Sequence, residues 1–168
     1  MRKNFGFTLI ELLVVISIIG ILTTLVAANL NSARSRARDA QRKSDMRSVA
    51  TALRLYYNDW GQYPPLVSNN GVGSIGGCGT GNGSQPTSLC SWNSPFNDGS
   101  NVYMSKLPKD PSPGQEYFYK RTANDVYVLS ACLENTSDTS AVKLVNNSNG
   151  YFGDSTKCQS QYVYVLQP

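Results

Sequence analysis

A single carboxylate stands at the start of a long apolar run near the beginning of this chain. Glu11 is followed by the uncharged stretch Leu12–Ala28, so about 22 residues from Phe7 onward are available to form one helix. Roughly 20 apolar residues are needed to cross the hydrocarbon core of a bilayer as an α-helix. An ionisable side chain at the edge of such a span is costly, and Glu11 is therefore a candidate functional residue.

Two simpler interpretations of this segment are a cleaved secretory signal and a plain membrane anchor. A secretory signal has a shorter apolar region that ends in a small-residue cleavage site, whereas this stretch is longer and no A-x-A pattern closes it cleanly. A plain anchor gives Glu11 no role. Neither interpretation explains why a glycine–aromatic junction, Gly6-Phe7, precedes the carboxylate by one helical turn.

The segment Gly6-Phe7-Thr8-Leu9-Ile10-Glu11 and the span after it resemble the amino terminus of the type IV pilins and type II secretion pseudopilins. In that family a prepilin peptidase cuts after the glycine and methylates the new amino terminus. The resemblance implies a leader over residues 1–6, cleavage between Gly6 and Phe7, N-methylation of Phe7, and a role in assembly for Glu11.

The same resemblance implies a homo-oligomeric filament and a set of partners. These are membrane lipid, a prepilin peptidase that is also the methylase, a separate assembly ATPase and a membrane platform protein. The chain has no P-loop pattern of its own, so the energy for extraction from the membrane has to come from another protein. A pilus, a secretion pseudopilus and a DNA-capturing competence filament all remain open at this point.

Burial against identical helices is the expected assembly mechanism. The apolar residues Leu9–Val26 are reburied when they leave lipid, and an unpaired Glu11 opposes that burial. Its natural partner is the methylated ammonium of Phe7 on an adjacent subunit, and an ion pair of this kind also fixes the axial stagger. A heterologous contact that does not close builds a filament rather than a ring.

The helix is expected to continue far beyond the membrane. No proline or glycine occurs between Asn29 and Trp60, and Gly61 is a plausible terminator. A helix from Phe7 to Trp60 is roughly 80 Å long at 1.5 Å per residue. One face carries apolar residues at three- and four-residue steps. These residues are Met46, Val49, Leu53, Tyr56 and Trp60.

The remaining sequence predicts a small antiparallel β head. Strands are predicted at Tyr117–Lys120, Val126–Leu133 and Tyr162–Leu166, with a weaker one at Val142–Val145 and a turn at Thr122–Asp125. Seven glycines between Gly71 and Gly83 predict a flexible surface loop. The fold class is therefore α+β and pilin-like. Its expected parts are a leader (1–6), a transmembrane and filament-core helix (7–28), an amphipathic helix continuing into the head (29–60) and a globular β head with disulfide-closed loops (61–168).

Two short segments extend the resemblance into the head. The stretch from Tyr56 to Pro65 looks like the helix end of the major pseudopilin group, and Leu107–Pro111 is similar to a proline–aspartate turn there. In many of those proteins a calcium ion organises the carboxyl-terminal loop. Asp138 and Asp154 show no clustered carboxylate spacing here, so a disulfide-pinned loop fits better and no metal is expected.

Four cysteines lie after the membrane segment, and none has the C-x-x-C spacing of a redox or zinc motif. This pattern favours disulfides in an oxidising exterior. Four cysteines allow three pairings, between which sequence alone does not choose. We favour Cys78 with Cys90 and Cys132 with Cys158, because each pair closes a loop rich in Gly, Ser or Asn.

Charge is concentrated on the second half of the helix. Seven bases face two acids between Arg34 and Arg54, which leaves +5, whereas the chain from Leu55 onward carries −2. Such a stretch suits an acidic neighbour, lipid headgroups or DNA, and it is equally well explained as a solvated helix surface. The candidate contact residues are Arg34, Arg36, Arg38, Arg42, Lys43 and Arg47.

The positive-inside rule would place this basic stretch in the cytoplasm. The cysteines and the family resemblance favour the opposite orientation, with the leader inside and the head outside. The expected location is therefore the membrane before assembly, and an extracellular or periplasmic filament afterwards.

An enzyme is not expected. The chain contains no histidine, and no serine or aspartate has an evident activating base nearby in the sequence. No cofactor is expected either.

Overall fold

One long helix, α1 (Leu9–Trp60), carries the whole head on its second half. The computed structural model describes residues 7–69, 72–143, 158 and 162–168. Gly61 ends the helix in the left-handed conformation (φ 66°), and its N–H donates to the Tyr57 carbonyl at 2.8 Å. Glycine adopts this conformation at little steric cost. The predicted continuous helix is confirmed, beginning two residues later than expected.

Within the described residues, nine strands form three antiparallel sheets. The strands are β1 (Leu66–Asn69), β2 (Val72–Cys78), β3 (Ser88–Cys90), β4 (Phe96–Asn97), β5 (Val102–Met104), β6 (Phe118–Ala123), β7 (Val126–Cys132), β8 (Val142–Lys143) and β9 (Tyr162–Leu166). Strands β1, β2 and β3 form one sheet in that order, and β4 pairs with β5. The third sheet has the order β6-β7-β9-β8. The pilin-like α+β architecture predicted from the sequence is confirmed.

The helix packs against the sheets through the face that its spacing predicted. The five residues of this face lie in the main core or pack directly against it: Met46, Val49, Leu53, Tyr56 and Trp60. The Tyr56 ring stacks on Phe96 with centroids 5.4 Å apart and meets Tyr103 edge-on at 5.1 Å. Aromatic pairs of this kind contribute about 0.5–1.5 kcal/mol each beyond the area they bury.

Strand β7 is the centre of the head because both of its faces are covered. Tyr127 and Leu129 point into the core shared with α1. Cys132 packs on the opposite face in a smaller cluster with Phe118 and Val163. The strand therefore reads as a continuous apolar run, which is why it was predictable.

The predicted strands at the end of the chain correspond to β6, β7 and β9. The turn between β6 and β7 is shorter than predicted, because β6 continues to Ala123. Strand β8 covers the first two residues of the weaker candidate, and residues 144 and 145 lie outside the described residues.

The flexible loop predicted between Gly71 and Gly83 is wrong over its first half, which forms β2. A Cβ at Gly76 would lie 2.4 Å from the Pro65 carbonyl oxygen. One at Gly77, where φ is 85°, would lie 2.7 Å from the Tyr56 hydroxyl. These positions need glycine because β2 passes so close to Pro65 and Tyr56 that a side chain would not fit. They do not indicate a flexible backbone.

Candidate functional site

The first half of α1 presents a fully apolar surface that nothing in the head covers. Phe7 is 83% exposed and Leu9 is 81% exposed, and the apolar side chains from Ile10 to Leu22 are exposed as well. By length and composition this helix can cross a membrane. An exposed apolar surface of this extent marks a lipid or protein contact.

Glu11 is held at the first turn of the helix by Thr8, the N-cap residue. The Thr8 N–H and hydroxyl donate to Glu11 Oε2 at 3.0 Å and 2.8 Å. In return, the Glu11 N–H donates to Thr8 Oγ1 at 3.3 Å. This reciprocal arrangement is a capping box, which satisfies two backbone donors at the helix start. The carboxylate therefore already has hydrogen-bond donors within its own chain.

This second role of Glu11 was missed in the sequence, although a signal for it was present. The pattern Thr8-x-x-Glu11 before an apolar run is the signature of a capping box. Of the predicted cleavage junction, Phe7 lies just ahead of the N-cap, and Gly6 lies outside the described residues.

In the second half of α1, Arg42 is buried in a cluster of carboxylates that we call the arginine clamp. Only 1% of Arg42 is exposed. Its Nε donates to Asp110 Oδ2 at 2.8 Å and its Nη1 to Asp39 Oδ1 at 2.7 Å. Its Nη2 reaches Glu134 Oε1 at 2.9 Å and Ser112 Oγ at 2.8 Å. One cation thus joins the helix to two separate segments of the head.

Arg42 is charged in the arginine clamp at neutral pH. Burial by itself lowers the pKa of Arg42, but the bonds and charges of Asp110 and the other carboxylates outweigh it, so the pKa is raised overall. The hydrogen bond from Arg38 is the main reason that the pKa of Glu134 falls to about 2, against the opposing effect of desolvation. A buried ion cluster of this kind tolerates burial only because each charge has a partner.

Two further basic residues of α1 also form ion pairs within the chain. Arg38 binds Glu134 through both Nε and Nη2, with the Nε contact at 2.8 Å. The Lys43 ammonium lies 2.5 Å from Asp138 Oδ2 and 5.7 Å from the centre of the Tyr164 ring. The bond from Lys43, followed by those from Ser140, lowers the pKa of Asp138 to about 2.

These contacts correct the predicted basic contact surface. Arg42 is not available to an external partner, and Arg38 and Lys43 are already paired. Arg34, Arg36 and Arg47 are exposed and make no ion pair within the described part of the chain. Arg36 and Arg47 share one side of the helix, since eleven residues make about three turns, whereas Arg34 lies about 160° from Arg36 around the helix axis.

The disulfide expected between Cys78 and Cys90 is present. It joins the end of β2 to the end of β3, with the two Cα atoms 5.3 Å apart. The bridge closes the glycine-rich segment between the two strands.

The second expected bridge, between Cys132 and Cys158, is not formed in this structure, which has both residues as buried thiols. The two side chains lie in the same apolar cluster. Their hydrogen bond is the main reason, before burial, that the pKa of Cys132 is raised. They are therefore neighbours, and their oxidation to a disulfide stays a prediction.

Among the described residues, no group of three or more His, Cys, Asp or Glu side chains is arranged to hold a metal ion. Of the two carboxylates considered for the carboxyl-terminal loop, Asp138 binds Lys43 and Asp154 lies outside the described residues.

Comparison with known proteins identifies a family motif and several relatives of this chain. The family model for the prokaryotic N-terminal methylation motif matches residues 1–27. The chain is 37% identical over 134 residues to the type II secretion system core protein G of Pseudomonas aeruginosa, which covers 77% of this chain and 85% of the relative. It is 32% identical over 135 residues to the core protein G of Vibrio cholerae, covering 78% of this chain and 83% of the relative.

A shorter match links the chain to a pilin. The type IV major pilin protein PilA of Myxococcus xanthus is 30% identical over 69 residues, which is 41% of this chain and 31% of that protein. No solved structure matches the chain. The long relatives, the methylation motif and the helix-plus-sheet fold agree with one another. The chain is a structural filament subunit of the pilin class, and it belongs to the type II secretion core protein G family.

Proposed function

We propose that this chain is the subunit of a type II secretion pseudopilus, stored as a single-pass membrane protein and then assembled through α1. The observation that carries the proposal is the helix itself: 52 residues are continuous, exposed and apolar at one end and built into the head at the other. The relatives that cover three quarters of the chain are secretion proteins, whereas the pilin match covers less than half.

Before assembly, the leader is cytoplasmic and the head lies outside the membrane. A prepilin peptidase cuts between Gly6 and Phe7 and methylates Phe7, and a separate ATPase and membrane platform drive extraction. The new amino group is then adjacent to the Thr8–Glu11 capping box at the start of the apolar surface. Leader removal thereby places a positive charge close to a negative one in every subunit.

Assembly brings the Phe7 ammonium of one subunit to the Glu11 carboxylate of the next. Glu11 enters this contact with its orientation fixed by Thr8, so little side-chain freedom is lost when the ion pair forms. The apolar surface that follows is buried against identical helices. An ion pair in such surroundings depends steeply on distance, and it therefore selects one axial stagger among those the apolar contact would allow.

Deletion of the chain in its own host tests the proposal. Secretion of exoproteins should stop, and envelope filaments purified from the wild type should contain this chain, beginning at methylated Phe7, as their main component. Loss of surface pili with secretion intact would overturn the assignment to a secretion system.

A second candidate function, DNA capture, rests on Arg34, Arg36 and Arg47, which are exposed and without an ion pair in the described part of the chain. Phosphate contacts weaken steeply with salt. Binding of duplex DNA that falls with salt and is lost in an Arg36→Ala, Arg47→Ala double variant would support this function. Binding that the double variant leaves unchanged would exclude these residues from it.

A further inference from the structure

We propose that Arg54 of one subunit forms an ion pair with Asp59 of its neighbour, in the same register that pairs Phe7 with Glu11. The inference rests on the proposed filament function and deepens it by naming a second contact between copies of this chain. It places one charge contact at each end of α1, about 70 Å apart at 1.5 Å per residue.

Both side chains are exposed on the last three turns of α1. Arg54 is exposed and makes no ion pair within the described residues. Asp59 is exposed, and two neutral groups contact it: it accepts a hydrogen bond from Asn101 Nδ2 at 3.2 Å, and it lies beside the Tyr103 hydroxyl, whose pKa burial raises and Asp59 helps to raise. Asp59 also lies in the last turn of α1, where no base accompanies it. A carboxylate is unfavourable there because the helix dipole is negative at that end. A neighbour's cation would remove this cost.

The axial register favours the pairing. If Phe7 of one subunit is level with Glu11 of the next, the second subunit is displaced by four residues, or about 6 Å. Pairing Arg54 of the first subunit with Asp59 of the second needs a displacement of five residues in the same direction, or about 7.5 Å. The two displacements differ by about 1.5 Å, which the long arginine side chain can absorb. One neighbour therefore satisfies both contacts.

The other exposed arginines on this side of the helix do not meet acids at that stagger. Arg36, Arg47 and Arg54 form one stripe, because their separations of eleven and seven residues are each close to whole turns. Displaced by four or five residues, Arg36 is level with Ala40 and Gln41, and Arg47 with Thr51 and Ala52. Within the stripe, Arg54 alone is opposed by a carboxylate.

Asp125 is the competitor for Arg54 inside the same chain. It lies in the turn between β6 and β7, beside the Tyr63 N–H that donates to the Asn124 carbonyl at 2.8 Å. Burial raises the pKa of Tyr63, while Arg54 lowers it and Asp125 raises it further, so both charges are near that phenol. They form no ion pair with each other among the described residues.

Charge reversal in the full chain, produced with its assembly machinery, tests the pairing. Filament yield per membrane-bound subunit should fall about tenfold or more in Arg54→Glu and in Asp59→Lys, because each contact then sets like charges together. The Arg54→Glu, Asp59→Lys double variant should recover to within about threefold of wild type, as coupled partners do. Arg47→Glu, the matched control on the same stripe, should stay within about twofold, as a surface change without a partner does.

A cysteine pair supplies a readout that does not depend on yield. Oxidised filaments of the Arg54→Cys, Asp59→Cys variant should give a ladder of linked subunits, whereas Arg47→Cys with Asp59→Cys should not. Wild-type yield in Arg54→Glu, or rescue by Asp125→Lys in place of Asp59→Lys, would overturn the inference and leave the filament function intact. A wild-type chain that forms no filament would overturn both.

Discussion

Arg42 in the helix and Asp110 in the head, 68 positions apart, meet at 2.8 Å with both side chains almost fully buried. Part of the positive charge on α1 is thus buried in the arginine clamp and holds the helix and the head together. Asp39, three residues before Arg42, accepts the backbone N–H groups of Glu134 and Asn135 at 3.0 Å and 2.8 Å. The arginine clamp therefore holds the head on the helix both through the Arg42 side chain and through the Asp39 carboxylate.

Removal of Arg42 should destabilise the head strongly. Arg42→Met keeps much of the volume but leaves buried carboxylates without a cation, which typically costs about 3–5 kcal/mol. Denaturant unfolding of the detergent-solubilised chain measures this loss. Arg36→Met is the matched control, since Arg36 is exposed on the same helix, and it should change stability by less than about 0.5 kcal/mol. Equal midpoints for the two variants would contradict a structural role for the clamp.

Acid should reduce the stability that the arginine clamp contributes to the fold. The folded-state pKa of Glu134 is about 2 against an ordinary 4.5, so its contribution to stability is complete above about pH 4.5 and is lost as the pH falls toward 2. Because the side chain is about a third exposed, we expect a loss of about 1–2 kcal/mol after screening. Thermal melting between pH 6 and pH 2.5 measures it. Glu134→Gln should start less stable and show a shallower decline, and parallel curves would contradict the assignment.

Replacement of Glu11 by Gln should separate membrane insertion from assembly. Glutamine can serve at this position of a capping box, so the helix start is kept and only the charge is lost. Insertion should be no worse, because a costly ionisable group has left the span. Filament yield should nevertheless fall strongly, because the Phe7 ammonium loses its partner. Membrane fractionation and filament counts measure the two effects. Normal filaments in Glu11→Gln would show that the carboxylate acts only as a cap.

The mature chain should begin at Phe7 and carry one methyl group. A bulky residue at position 6, as in Gly6→Leu, should leave the leader attached, because the peptidase motif requires the small residue. Intact-mass measurement of the membrane fraction distinguishes the two forms. A wild-type chain that still begins at Met1 would contradict the processing step.

The two buried thiols should be joined in protein isolated from the cell exterior. Oxidation of Cys132 and Cys158 forms one S–S bond and releases two protons and two electrons, which an exterior thiol oxidant carrying its own disulfide accepts. Peptide mapping without reductant should find this bridge beside Cys78–Cys90. Two remaining thiols would exclude the second bridge, and a link from Cys78 or Cys90 to Cys132 would overturn the whole pairing.

The fold was largely predictable because its strongest signals are periodic. Met46, Val49 and Leu53 recur at helical spacing and form the observed core face. Strand β7 was recognisable because both of its faces are apolar. Strand β2 was not, because Gly76 and Gly77 fit close backbone contacts that exist only in the assembled fold.

The candidate site was predictable in composition and less so in geometry. Glu11 stood out as a lone carboxylate, and its capping role was readable from Thr8 three residues earlier. The burial of Arg42 had no local signal, because its partners Asp110 and Glu134 come from distant segments that only folding brings together. A count of charges along the helix treats Arg42 and Arg36 alike, although one is buried and the other exposed.

The absence of any break in α1 between Leu9 and Trp60 has a mechanical consequence. An unbroken helix of this length behaves as a stiff rod, so a pull on its membrane end moves the head by the same distance and in the same direction. In the proposed filament, an axial shift of the helix is therefore an equal axial shift of its head. The arginine clamp and the apolar core face together transmit this displacement, because both join the helix to the head.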